Sequence, residues 1–150
     1  MKKLIRIVLM LLLVALVVIQ FIRPDKNNGG YESVMEFEND TKPSMQVASL
    51  LKENCYDCHS NQTQYPWYFE IAPISFFMAE HIKEGKEELN ISNWRTYSLK
   101  RRDHKLEELI EKIEEKEMPL ESYTLIHGDL EEHDRTLLIQ WATMARLHLK

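Results

Sequence analysis

The sequence is poor in the residues that build turn-rich or cross-linked folds. Its 150 residues, enough for one domain, include only 4 glycines, 5 prolines and 2 cysteines. The low glycine and proline counts argue against a β-sandwich and against low-complexity sequence. Two cysteines, three positions apart, exclude a disulfide framework. Neither of the glycine-rich phosphate-binding loops, GxxxxGK[ST] and GxGxxG, is present.

Acidic residues are missing from the first 23 positions, which contain four basic residues. The formal net charge of the chain is −5, so the remaining 127 residues carry −9, from 15 basic and 24 acidic side chains. A domain with this excess of negative charge repels phosphate groups. We therefore expect no nucleic-acid partner.

Residues 4–22 form an apolar run that only Arg6 and Gln20 interrupt. In a helix this run extends ~28 Å, close to the hydrocarbon thickness of a bilayer. Lys2 and Lys3 precede it, and a positive end stays on the cytoplasmic side. Residues 1–23 are therefore predicted to be an uncleaved single-pass anchor in the cytoplasmic membrane, with the following domain on the outer, periplasmic side. The alternative is a cleaved signal peptide, but the run lacks a small-residue cleavage site.

The rest of the sequence predicts a linker and one all-α domain. Residues 24–43 are polar and include Asn27-Asn28-Gly29-Gly30, which is typical of a linker. Residues 44–150 show apolar spacing typical of amphipathic helices, without an alternating strand pattern. Ser44 is predicted to cap the first helix, Pro73 to open the next, and residues 123–128 to form a loop before a final helix.

The segment Cys55-Tyr56-Asp57-Cys58-His59 carries the chemistry. Covalent haem attachment needs two thiols about one helical turn apart, to reach two vinyl groups of the same porphyrin. It also needs a histidine beside the second thiol, placed under the iron. CxxCH supplies all three. It predicts one covalent haem c, bound through Cys55 and Cys58, with His59 as the proximal axial ligand.

Three other uses of the two cysteines compete with haem attachment. They could form a thioredoxin-like redox pair, although no βαβ pattern accompanies them. They could be half of a zinc site completed by His127 and His133, although that histidine spacing exceeds the usual one. They could also form an inert disulfide in an exported domain.

The second face of the iron needs its own ligand, and Met118 is the first candidate. Pro119 follows it directly and ends the preceding helix, which leaves the thioether on a loop. Ligation by His and Met raises the reduction potential. His81 is the runner-up, because it falls on the apolar stripe of a predicted helix. Its other interpretations are a buried core histidine or a propionate partner.

Aromatic residues are dense for a domain of this size. Trp67, Trp94 and Tyr97 are predicted to contact the haem or its propionates, besides a role in the core. We expect His104, His127 and His133 to lie on the solvated surface.

These features together resemble the c-type cytochrome superfamily. More closely, the sequence is similar to small membrane-anchored bacterial haem-binding domain proteins, in which the motif continues as CxxCHSNxTxYPWY. The match covers residues 45–145 and includes the following positions: Cys55 to Tyr68, Ala72-Pro73-Ile74-Ser75, His81, Gly85, Trp94, Met118-Pro119 and Tyr123. The sequence departs from the pattern at Leu120, where many members have proline, and at Lys116-Glu117, where glycine is common.

The resemblance implies a cytochrome c-like helical fold wrapped around one haem. We expect one-electron transfer to or from redox partner proteins in the cell envelope. A peroxidase-like haem enzyme or a sensor with an open iron face is the alternative. No distal histidine with a nearby arginine can be assigned from one sequence, which favours a carrier over an enzyme. A thiol–disulfide oxidoreductase using Cys55 and Cys58 is the remote alternative.

Overall fold

The computed structural model describes residues 1–149, and all regular structure within that range is helical. The prediction of an all-α fold is therefore confirmed. Eight α-helices follow one another: α1 (Lys2–Ile19), α2 (Glu32–Thr41), α3 (Met45–Asn54), α4 (Tyr56–His59), α5 (Ile74–Glu88), α6 (Leu99–Glu114), α7 (Glu121–His127) and α8 (Glu132–His148). Two short 3₁₀ helices, Trp67–Glu70 and Ile91–Thr96, flank α5.

The hydrophobic core lies where α2, α3, α6, α8 and the second 3₁₀ helix meet. Phe37 of α2 is at its centre, with its ring 4.9 Å from Trp94 and 5.9 Å from Trp141, both edge-on. Trp141 donates its indole hydrogen to the carbonyl of Thr41 at 2.9 Å, which joins the last helix to the end of α2. Large aromatic rings in these geometries contribute much of the burial energy of a small domain.

The sequence between the apolar run and residue 44 is more ordered than a linker. Residues 32–41, predicted as part of the linker, form α2, whose Val34 and Phe37 are fully buried. The apolar spacing typical of a helix is weak here, because these two residues are the only large buried apolar side chains in a helix rich in polar residues. The preceding turn is also held, since the Gly29 amide donates to the carbonyl of Asn61 at 2.7 Å.

Two further predictions, the Ser44 cap and the loop at residues 123–128, can be compared with the helix ends. The Ser44 hydroxyl accepts a hydrogen bond from the Val47 amide at 3.3 Å, which confirms Ser44 as the cap of α3. Residues 121–127, predicted in part as loop, instead form the short helix α7. Glu121 in its first turn interacts favourably with the positive helix end. The sequence gives little indication of this helix, because none of the residues of α7 is fully buried.

Helix α1 begins at Lys2 and ends at Ile19, and its apolar side chains are exposed along its length. Among residues 1–149, no helix combines the length and the apolar character needed to cross a membrane. The transmembrane helix predicted over residues 4–22 is therefore not supported by the structure.

Candidate functional site

The CxxCH motif lies at a junction between two helices. Helix α3 ends at Asn54, and Cys55 both follows α3 and precedes α4. The Cys55 carbonyl accepts hydrogen bonds from the amides of Cys58, at 3.2 Å, and His59, at 2.9 Å. This single turn places the second thiol and the histidine close to the first thiol. Both cysteines are free thiols, and both are partly buried.

His59 is held in one tautomer by the end of α5. Its Nδ1 atom lies 3.0 Å from the carbonyl oxygen of Leu89, and a carbonyl only accepts, so Nδ1 carries the hydrogen. The Nε2 atom then keeps its lone pair. Burial lowers the pKa of His59, opposed mainly by the hydrogen bond to the Leu89 carbonyl. The imidazole is therefore neutral, which is the form that binds a metal ion.

A cleft of about 830 Å³ opens beside Cys58. Its volume falls in the usual range for small-molecule and cofactor sites. Four parts of the chain form its walls: the second half of α3, α4, the segment from residue 63 through α5, and α7. The side chains that matter most for the argument are Cys58, Tyr68, Phe77, His81, Tyr123 and His127.

Helix α5 passes very close to α4 at Gly85. A Cβ atom at this position would lie 3.0 Å from the carbonyl oxygen of Cys58 and 3.2 Å from its Cβ atom. A larger residue would push α5 away from the CxxCH turn. Gly85 therefore fixes the distance between the motif and the helix that carries His81.

The two thiols are poorly suited to thiol–disulfide exchange. Burial, with a smaller contribution from Cys58, raises the pKa of Cys55 to about 12. Burial, with a smaller contribution from Asp57, raises the pKa of Cys58 to about 11. Redox-active CxxC pairs need a thiolate and have a lowered pKa. The environment of these cysteines therefore disfavours the oxidoreductase alternative.

The two candidates for the second axial ligand have different surroundings. His81 lines the cleft, and its Nδ1 donates to the carbonyl of Phe77 at 2.9 Å, which leaves Nε2 with a lone pair. Met118 is half-buried and is not among the cleft-lining residues. Its carbonyl accepts from buried Arg135 at 3.1 Å. Met118 lies four residues before Ser122, where α7 joins the cleft wall.

The aromatic residues predicted to contact haem are placed apart from one another. Trp94 is buried in the core and donates to the Asp40 carboxylate at 3.0 Å. Tyr97 is also buried, and its hydroxyl accepts from the Asn90 amide at 3.1 Å. Trp67 is exposed, with its ring 5.8 Å from that of Tyr68. None of the three predicted residues lines the cleft.

The cleft wall contains a group of contacts between tyrosine and histidine side chains that the sequence did not predict. The hydroxyl of Tyr68 lies 2.9 Å from Nε2 of His127, which is exposed, as predicted, and also lines the cleft. The ring of His127 stacks on Tyr123 with 4.2 Å between centroids. Tyr123 in turn donates to the carbonyl of Glu53 at 2.6 Å. Tyr123 and His127 are four residues apart, a spacing that brings two side chains together in a helix. The sequence therefore indicates their contact only if residues 121–127 are recognised as helical.

The structure does not support a zinc site. Across residues 1–149, no group of three or more histidine, cysteine, aspartate or glutamate side chains is arranged to hold a metal ion. His133 is exposed in the first turn of α8.

The residues of the CxxCH turn suit haem as a ligand set, and Cys58 is the one of the three that lines the cleft. Two free thiols stand one turn apart, a neutral imidazole with an available Nε2 follows them directly, and a cleft of cofactor size opens beside the second thiol. These features define an all-helical protein with a site for haem. The sequence matches the family model described as the haem-binding domain over residues 14–144, and the chain belongs to that family. No curated protein and no solved structure matches the chain significantly.

Proposed function

We propose that the chain binds one haem covalently, as haem c, through Cys55 and Cys58, with His59 as the proximal ligand. The observation that carries the proposal is the hydrogen bond from His59 Nδ1 to the Leu89 carbonyl, directly after two free thiols. This bond orients the imidazole and keeps Nε2 available. Histidine ligands of metals usually have such a partner on the other ring nitrogen.

The chemistry of attachment suits protonated thiols. The Cys55 and Cys58 thiols would hold the ring as thioethers, each S–H adding across one vinyl group with its hydrogen going to the other vinyl carbon. No electron is lost or gained in this addition. The bound haem then supplies a one-electron couple of its iron. Cys55 and Cys58 hold the ring, and the Leu89 carbonyl sets the direction of the His59 imidazole.

We propose one-electron transfer as the physiological activity, with Met118 as the second axial ligand. Support comes from Pro119 and from the position of Met118 just before α7, which forms one wall of the cleft. His81 is the competing ligand, because its side chain lines the cleft. A haem enzyme or sensor is the second candidate function, and the polar contacts of Tyr68 with His127 on the cleft wall favour it.

We propose that the domain lies at the outer face of the cytoplasmic membrane, where it meets redox partner proteins of the cell envelope. The basic residues at the start of α1 and the exposed apolar side chains behind them support this location. The proposed covalent haem supports it too, since c-type haem is attached outside the cytoplasm.

The deciding experiment is production of the full chain together with a working c-type haem maturation system. The purified protein should gain the mass of one haem, and the haem should survive denaturation and acid–acetone extraction. The double variant Cys55→Ala/Cys58→Ala should lose it completely. The variant Met45→Ala, at an exposed position on α3, should retain it. If the chain with both cysteines intact gains no covalent haem in this system, the proposal is contradicted.

A further inference from the structure

One stretch of the domain is almost free of charge and exposes large apolar side chains. Between Ser60 and Ala79 the only charged residue is Glu70, in a chain that is 29% charged. Four apolar residues in this stretch are exposed, and together they are named the apolar face: Trp67 (76%), Ile71 (40%), Ile74 (42%) and Phe77 (54%). Ile74 and Phe77 are three residues apart on α5 and so lie on the same side of it. Grouped exposed apolar side chains of this kind mark an interaction surface.

The carboxyl end of α1 is attached beside the apolar face. The Gln20 side chain donates to the Ala72 carbonyl and accepts from the Ala72 amide, each at 3.0 Å. Arg23 and Lys26 both form ion pairs with Glu70. Glu70 and Ala72 flank Ile71, a member of the apolar face. Helix α1, with its exposed apolar side chains, therefore leaves the domain next to that face.

The local charge also favours one kind of partner. Glu70 is the only charge of the stretch, and Arg23 and Lys26 pair with it; with Asp25 between them, these four charges cancel. The rest of the domain is strongly acidic. A surface that is apolar, rich in aromatic residues and locally without net charge suits the interfacial region of a bilayer.

We propose that the apolar face contacts the lipid surface together with α1. The cleft then opens beside the lipid headgroups, because Ile74 and Phe77 belong both to the apolar face and to the cleft lining. Adsorption at the interface needs no spanning helix. The inference rests on the proposed location at the membrane and is independent of haem attachment.

Photocrosslinking tests this contact in the haem-loaded full chain. Vesicles of phosphatidylethanolamine and phosphatidylglycerol would contain a lipid with a diazirine near its headgroup. Mass spectrometry should find lipid adducts on Trp67, Ile71 and Phe77 as well as on α1. It should find none on Met45 or Leu147, which are exposed elsewhere on the domain. Adducts confined to α1 would overturn the proposal and leave the apolar face to a protein partner.

A pair of matched variants tests whether the apolar face drives the contact. In Trp67→Ser/Ile71→Ser, adducts on Phe77 should be lost while those on α1 remain. In Met45→Ser/Leu147→Ser, which removes two exposed apolar side chains elsewhere, adducts on Phe77 should persist. Far-UV circular dichroism reports whether each variant keeps its helical fold. Equal labelling of Phe77 in both variants would show that the face has no part in membrane contact.

Discussion

At the scale of single residues, the site depends on the environment of the His59 imidazole. His59 is surrounded by the CxxCH turn and the end of α5, and its Nδ1 hydrogen is bound to the Leu89 carbonyl. Burial disfavours the imidazolium ion, so the pKa of His59 is lowered. The folded domain thus holds the His59 imidazole in its neutral form.

The lowered pKa of His59 predicts a pH dependence of stability. The unfolded chain binds this proton at about pH 6.5, whereas the folded chain binds it only at lower pH. The free energy of unfolding should therefore fall as pH decreases below about 6.5, by about 1.4 kcal/mol for each pH unit between the two pKa values. Urea unfolding of the haem-free variant Cys55→Ala/Cys58→Ala measures this.

The control for this prediction is a second histidine. Adding His59→Gln to the haem-free variant should remove part of the loss of stability at low pH. Adding His133→Gln, at an exposed position on α8, should leave the pH dependence unchanged. Identical pH profiles for the two variants would contradict the assigned environment of His59.

At the residue level, local geometry could be read from the sequence and long-range partners could not. The turn that brings Cys55, Cys58 and His59 together is local, so five residues of sequence contain the information. The partners of Trp94 and Tyr97 are different, because Asp40 is 54 residues from Trp94 and neither ring lines the cleft. The sequence identified these aromatic residues as important but could not distinguish a core role from contact with haem.

At the scale of elements, α2 decides where the folded domain begins. It packs against the second 3₁₀ helix and α8, although residues 24–43 have the composition of a linker. Asp40 at its end accepts hydrogen bonds from Trp94, at 3.0 Å, and from Arg102, at 2.5 Å. A short polar helix can thus contribute to the core through two apolar side chains and one well-placed carboxylate.

Replacing the central ring of α2 tests this arrangement. Phe37→Ala should lower the free energy of unfolding by about 3–5 kcal/mol, because it removes a fully buried ring that contacts Trp94 and Trp141. Met35→Ala, at an exposed position of the same helix, should change it by less than about 0.5 kcal/mol. Chemical denaturation of both variants gives the comparison. A neutral Phe37→Ala would mean that residues 32–41 are a linker after all.

At the scale of the whole molecule, the cleft is assembled from distant parts of the chain. Cys58, His81 and His127 come from three helices and all line it. Gly85 allows α5 to approach the CxxCH turn, and Tyr123 links α7 to the end of α3 through the Glu53 carbonyl. The proposed second axial ligand therefore depends on how α5 and α7 are placed around the cleft.

Spectroscopy of single variants discriminates between the two proposed ligands. With Met118 bound, the ferric protein should be low-spin and show the weak near-infrared sulfur-to-iron band. Met118→Ala should remove that band and lower the reduction potential, since a thioether favours the ferrous state. His81→Ala should leave the band intact.

The opposite result has a clear interpretation. A low-spin spectrum that needs His81 and survives Met118→Ala would assign bis-histidine ligation, in agreement with the cleft lining. A high-spin resting state in the unmodified protein, with rapid binding of carbon monoxide after reduction, would favour the enzyme or sensor alternative. The variant Met144→Ala, an exposed methionine on α8, serves as the control.

The sequence by itself determined the helical class, the CxxCH turn and the Ser44 cap, because each depends on residues within one or two helical turns. Only the tertiary structure decided that α2 belongs to the core and that α7 forms a cleft wall. It also decided that His127, and not Trp94 or Tyr97, lies at the cleft. These features arise from contacts between segments far apart in the chain, such as the hydrogen bond from Trp141 to Thr41. No local pattern of side chains encodes such contacts.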